Sequence, residues 1–217
     1  MGKIALANVS LVVAAEQHNP TVLHPAFLQA EGVVPADWEI TEGPICTPAI
    51  SMVSFAERFT FRVEPPRLEI VDDMPRGNGT GSPVCELAEK YVQKLPHVHY
   101  KAVGANFSAF YHCEDPDTFM LRRFLKPDTS KNWEPEPVSM GVQLSFPVTH
   151  AMFHLTLRPG REQGAHDSPR GGIVLGGNCH AETTTAEEVT RAIGNFDSNI
   201  TAALAVCSRV LAANGED

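Results

Sequence analysis

The stretch "IALANVSLVVAA" (residues 4–15) has a near echo in "AVGANFSAFYH" (residues 102–112), and the two share Ala-Asn-x-Ser. Four shared letters arise easily by chance in a chain of 217 residues, so the surroundings decide what the echo means. Aligned on it, Ala5, Ala7, Val9, Leu11 and Val13 meet Val103, Ala105, Phe107, Ala109 and Tyr111. All ten are apolar or small at a period of two, as one buried strand face requires. Asn8 and Ser10 meet Asn106 and Ser108 on the opposite face, a parity that a slip of one residue would destroy. The expectation is two equivalent strands that present these four polar residues to one surface.

Similar elements follow each strand. "NPTVLHPAFLQ" and "DPDTFMLRRFLK" each read as a polar turn and a short helix carrying Phe-Leu, at Phe27-Leu28 and Phe124-Leu125. Strands are expected next at "AISMVSF", "RFTFRV" and "RLEIVD", with a short one at "DWEIT", and in the second half at "VSMGVQLSFPV", "FHLTLR" and "GIVLGGNCHAE". In the second half Val138, Met140, Val142, Leu144, Phe146 and Val148 alternate onto one face. A helix closes each half, the first with Ser82 as N-cap, the second opening on a Thr185–Glu188 capping box with a bend expected at Gly194. The fold class is therefore α+β: a duplicated strand–helix–antiparallel strands–helix unit, residues 1–96 and 97–217, packed as a single globular unit around one curved sheet backed by helices.

Composition narrows the functional classes. Hydrophobic residues make up 43% of the chain, enough for one large core, and the formal net charge is −9. That charge repels nucleic acid and anionic lipid at long range. Five scattered cysteines without a CxxC pair indicate reduced thiols in a cytoplasm, and no stretch approaches the roughly 18 apolar residues of a membrane span. The apolar start weakly imitates a secretory signal, but the repeat gives residues 4–14 a structural role.

A duplicated unit of this order resembles the fold of the TATA-box-binding protein, in which two copies join their sheets into a saddle. The phrases "PAFLQAEGVVPADW", "PICTPAISMVSF" and "LPHVHYKAVGANF" also resemble a group of uncharacterised, sporadically distributed bacterial proteins, over residues 20–110. Neither resemblance implies a chemistry, because fold does not fix activity.

Site candidates come from the polar members of the alternation. Asn8, Ser10, Arg58, Thr60, Arg62, Asn106, Ser108, Gln143, Ser145, His154, Thr156, Arg158, Asn178, His180 and Glu182 are expected to share the uncovered face, as a ligand surface or as ordinary solvated sheet. Asn8, Ser10, Arg58, Arg62, Asn106, Ser108, Gln143, His154, Arg158 and His180 are the expected ligand contacts. "HVHY" places His97 and His99 two residues apart, a spacing that can chelate metal if His180 or Glu182 completes the set. "PRGNGTGSP" (75–83) matches no phosphate-loop pattern and reads as a surface loop, as does "PGREQGAHDSPRGG" (159–172). GxSxG and HExxH are absent, and no catalytic residue is assigned. The first reading is a non-enzymatic binding or scaffolding protein with no cofactor, acting as a homodimer with an unknown protein or small-molecule partner. The second is a metal-assisted hydrolase or lyase on the histidine and glutamate cluster. The third, single-stranded nucleic acid held by Arg58, Arg62 and Arg158, is disfavoured by charge.

Overall fold

The computed structural model describes residues 3–126, 133–162 and 170–212. In chain order the elements are β1 (Ile4–Ala15), a 3-10 turn (Pro20–Val22), α1 (Pro25–Ala30), β2 (Ile45–Cys46), β3 (Ser51–Ser54), β4 (Phe59–Glu64), β5 (Arg67–Asp72) and α2 (Val84–Lys94). Then come β6 (Tyr100–His112), α3 (Pro116–Phe124), β7 (Val142–Val148), β8 (Ala151–Glu162), β9 (Arg170–Glu182), α4 (Ala186–Gly194) and α5 (Phe196–Leu211). The fold is α+β, with nine strands among the described residues in one antiparallel sheet of order β2-β3-β4-β5-β1-β6-β9-β8-β7.

From the central β1–β6 pair outward, the order is β5, β4, β3 on one side and β9, β8, β7 on the other. The register at the centre is reciprocal. Val9 stands opposite Phe107, while Asn8 and Ser10 stand opposite Ser108 and Asn106. Val9 thus meets its own counterpart, and Asn8 and Ser10 exchange theirs. The Phe-Leu landmark is less symmetrical: Phe27-Leu28 lies inside α1, whereas Phe124 ends α3 and Leu125 is its C-cap.

One sheet face carries the core. Val9, Leu11, Val13, Phe61, Ile70, Phe107, Leu155 and Leu175 pack there with Leu28, Tyr91, Met120, Ile193 and Ile200, one from each described helix, in a single buried cluster. A fully buried leucine such as Leu11 contributes about 2 kcal/mol. Asp115 caps α3 by accepting from the Thr118 N–H, and the Thr185–Glu188 capping box opens α4. The final helix is interrupted at Asn195, one residue after Gly194, which separates α4 from α5.

Several expectations are corrected by tertiary contacts. A bulge between Leu6 and Asn8 breaks the period-two alternation of β1. Ala5 and Ala7 are exposed, while Ile4 and Leu6 pack against the core. Val138 and Met140 precede β7, and Val138 is exposed. The expected strand at "DWEIT" reduces to an Ile40–Phe55 bridge. Pro83, not Ser82, holds the N-cap of α2, because the Ser82 hydroxyl donates instead to buried Asp72 at 2.7 Å. The glycine-rich loop is partly a packing element: Gly79 is buried at φ 80°, and a Cβ there would lie 2.8 Å from Val9 Cγ1. The Gly81 N–H donates to the Asp197 carboxylate. The 159–172 segment supplies the ends of the β8–β9 hairpin, with Gly160 opposite Gly172, and its residues 163–169 lie outside the described residues.

Candidate ligand face of the sheet

The opposite face of the sheet receives none of the core-forming helical side chains named above. Its centre is a row of cross-strand partners: Ser10 on β1, Asn106 on β6, Asn178 on β9, His154 on β8 and Ser145 on β7. Hydrogen bonds fix the orientation of this row. The Glu69 carboxylate accepts from the Ser10 hydroxyl at 3.3 Å. Ser10 Oγ in turn accepts from Asn106 Nδ2 at 3.4 Å, and Asn106 Oδ1 accepts from Asn178 Nδ2. Because an ionised carboxylate only accepts, each amide must point its N–H group toward β5. Asn178 is left with its side-chain carbonyl and second N–H without a protein partner among the described residues. Nearby, Ser145 Oγ and His154 Nδ1 are 2.8 Å apart.

Gly176 widens this surface. It pairs with Ser108 and Thr156 on the row next to Asn178. A Cβ placed on it would meet only Thr156 Cβ, at 3.9 Å, so space above the backbone is open there. On the same face the Phe110 ring covers Gly172, whereas Gly177 points into the core against the Phe107 ring. The result is a bare backbone patch flanked by hydroxyls and amides.

The expected contacts separate into groups. Asn8, Ser10, Asn106, Ser108, Gln143, His154, Arg158 and His180 alternate onto this face with Thr60, Arg62, Ser145, Thr156, Asn178 and Glu182. Arg58 does not join them. It sits in the turn before β4 at φ 80°, and its Nε lies 2.7 Å from Asp72 Oδ1, whose side chain is fully buried. Arg62 is on the face but engages Glu64, which Arg67 also contacts at 3.0 Å. The Arg62 hydrogen bond is the main cause that holds the Glu64 carboxyl below its usual range. Arg158 has no carboxylate partner among the described residues.

The histidine and glutamate set does not assemble into one centre. His97 and His99 lie before β6, beside a cleft of about 590 Å³ that Glu16 and His18 also line. His99 Nδ1 is 3.4 Å from Glu16 Oε2. His180 stands well along β9, opposite Gly104, and exposed Glu182 stands opposite Ala102. Among the described residues no group of three or more His, Cys, Asp or Glu side chains is placed to hold a metal ion. A buried imidazole that sequence reasoning passed over is His18. It is buried, its Nε2 donates to the Val13 carbonyl at 3.0 Å, and burial lowers its pKa below 6.5.

The Ser145–His154 contact also escaped the sequence, because it joins two strands through their register. Nucleophilic catalysis needs a base held by a third group and donors for the developing oxyanion. No carboxylate bonds this imidazole among the described residues, and Ser145 is exposed. No described helix is long and apolar enough to cross a membrane. No protein-family model and no curated protein matches the chain.

Proposed function

We propose that the protein is a non-enzymatic binding protein whose ligand face is the uncovered side of the sheet, centred on Asn178, His154 and the bare strip over Gly176. The observation that carries this reading is the directed chain from Asn178 through Asn106 and Ser10 to Glu69. It uses hydrogen-bonding capacity laterally to hold the Asn178 amide in place, and it leaves one carbonyl and one N–H for a ligand. Preorganised polar groups on rigid strands bind at a lower entropic cost than groups on loops. Arg58 is turned off the face to Asp72 and Arg62 is engaged by Glu64, which leaves Arg158 of the three expected arginines, so the face suits a small polar molecule or a peptide more than a nucleic-acid strand. The mirrored strand order and reciprocal register support an internal duplication, with a saddle like that of the TATA-box-binding protein. Self-association as a dimer in the cytoplasm belongs to the same proposal.

The test is a titration of isotope-labelled protein with a library of small polar fragments, followed by nuclear magnetic resonance. Shifts are expected at amides of β6, β9 and β8 around Asn178, and Asn178→Leu is expected to remove them. Hydrolytic turnover by the purified protein that disappears in Ser145→Ala would overturn the reading.

A further inference from the structure

The bulge in β1 has a second consequence, on the helix side of the sheet. By turning Ile4 and Leu6 away from the open face, it places them beside Tyr111 at the end of β6 and Leu204 and Leu211 on α5. These five side chains line a cleft of about 520 Å³, inside the range of about 300–1,000 Å³ typical of small-molecule sites. Bulges commonly re-aim side chains beside binding sites. Four of the five residues remain only partly buried, so the cleft is an incompletely filled apolar surface next to the core.

The polar groups of the lining are unequal. Asn78 and Ser208 are neutral, and the Ser208 hydroxyl already donates to the Leu204 carbonyl at 2.9 Å. Lys3 is the cation of the lining, and it has no ion-pair partner among the described residues. In a chain of net charge −9, a lysine that ion-pairs with no described carboxylate, beside an aliphatic cleft, is complementary to an anionic head on an apolar tail.

We propose that this cleft binds a medium-length alkyl chain ending in a carboxylate. The tail lies along Ile4, Leu6, Leu204 and Leu211, and the carboxylate meets the Lys3 ammonium at the mouth. This site is independent of the polar face across the sheet.

Dodecanoate and dodecylamine are the matched probes, each titrated calorimetrically below its critical micelle concentration. The expected result is saturable one-to-one binding of dodecanoate, several-fold tighter than that of the amine, with the preference reversed in Lys3→Glu. Leu204→Trp fills the cleft and is expected to weaken dodecanoate at least about tenfold, in keeping with lost apolar burial. Ser208→Phe, at an exposed position on the rim, gives the same blockade should the tryptophan variant fold poorly. No saturable binding, equal affinity for the two head groups, or binding untouched by both blocking variants overturns the proposal.

Discussion

Ser10 and Asn106 face each other across the two central strands, and the Asn106 amide donates to the Ser10 hydroxyl at 3.4 Å while Ser10 donates to Glu69. This one contact joins residues 96 positions apart in sequence and orients the polar row outward to Asn178. Ser10 is 6% exposed, so its hydroxyl exchanges little with solvent. Ser10→Ala should lower unfolding stability by about 1–2 kcal/mol, since Asn106 and Glu69 each lose a partner. A double-mutant cycle with Asn106→Leu should show coupling of about 0.5 kcal/mol or more in chemical denaturation.

Gly176 and Gly177 are adjacent but answer differently to the same methyl group. At Gly177 a Cβ would fall 2.1 Å from the Phe107 ring, and Phe107 is core. Gly177→Ala should therefore cost about 2–3 kcal/mol as that ring is displaced. Gly176→Ala has open space and should change stability by less than about 1 kcal/mol. Thermal melts of the two variants check the contrast.

Arg58 combines an ion pair to a fully buried carboxylate with a left-handed backbone. Removing the guanidinium strands Asp72 with the Ser82 hydroxyl and the Met74 N–H as its remaining partners. Arg58→Ala should cost about 3 kcal/mol in denaturant titration. Arg58→Gly should cost about 1 kcal/mol less, because glycine adopts the positive φ without steric penalty.

His18 sets an acid limit. Burial favours its neutral form, so the native imidazole titrates below 6.5 while the unfolded chain takes up its proton near that value. The stability this provides is complete above pH 6.5 and is lost as pH falls toward the native pKa. His18→Gln, which can keep a donor to the Val13 carbonyl, should flatten the dependence of melting temperature on pH below 6.5.

Much of the architecture was legible because it rests on periodicity. The alternation from Asn8 and from Asn106 onward predicted which residues share a face, and Thr185 and Glu188 announced a helix start. Where the sequence misled, a distant partner had overruled a local preference. Ser82 has the chemistry of an N-cap, but Asp72 claims its hydroxyl. Arg58 has the parity of a surface residue, but the turn delivers it to the same carboxylate. The bulge at Ala7 leaves no local signature, since Ala5 and Ala7 fit either face. Register across strands, which alone brings Ser145 to His154 and Asn178 to Asn106, is a long-range property that one strand's pattern does not specify.

Crystals soaked with small polar fragments test the proposed ligand face most directly. The account predicts fragments bound over Gly176 and hydrogen-bonded to the Asn178 side chain between Asn106 and His154. A face left bare at saturating fragment concentrations, or an Asn178 amide turned away from Asn106, would contradict it.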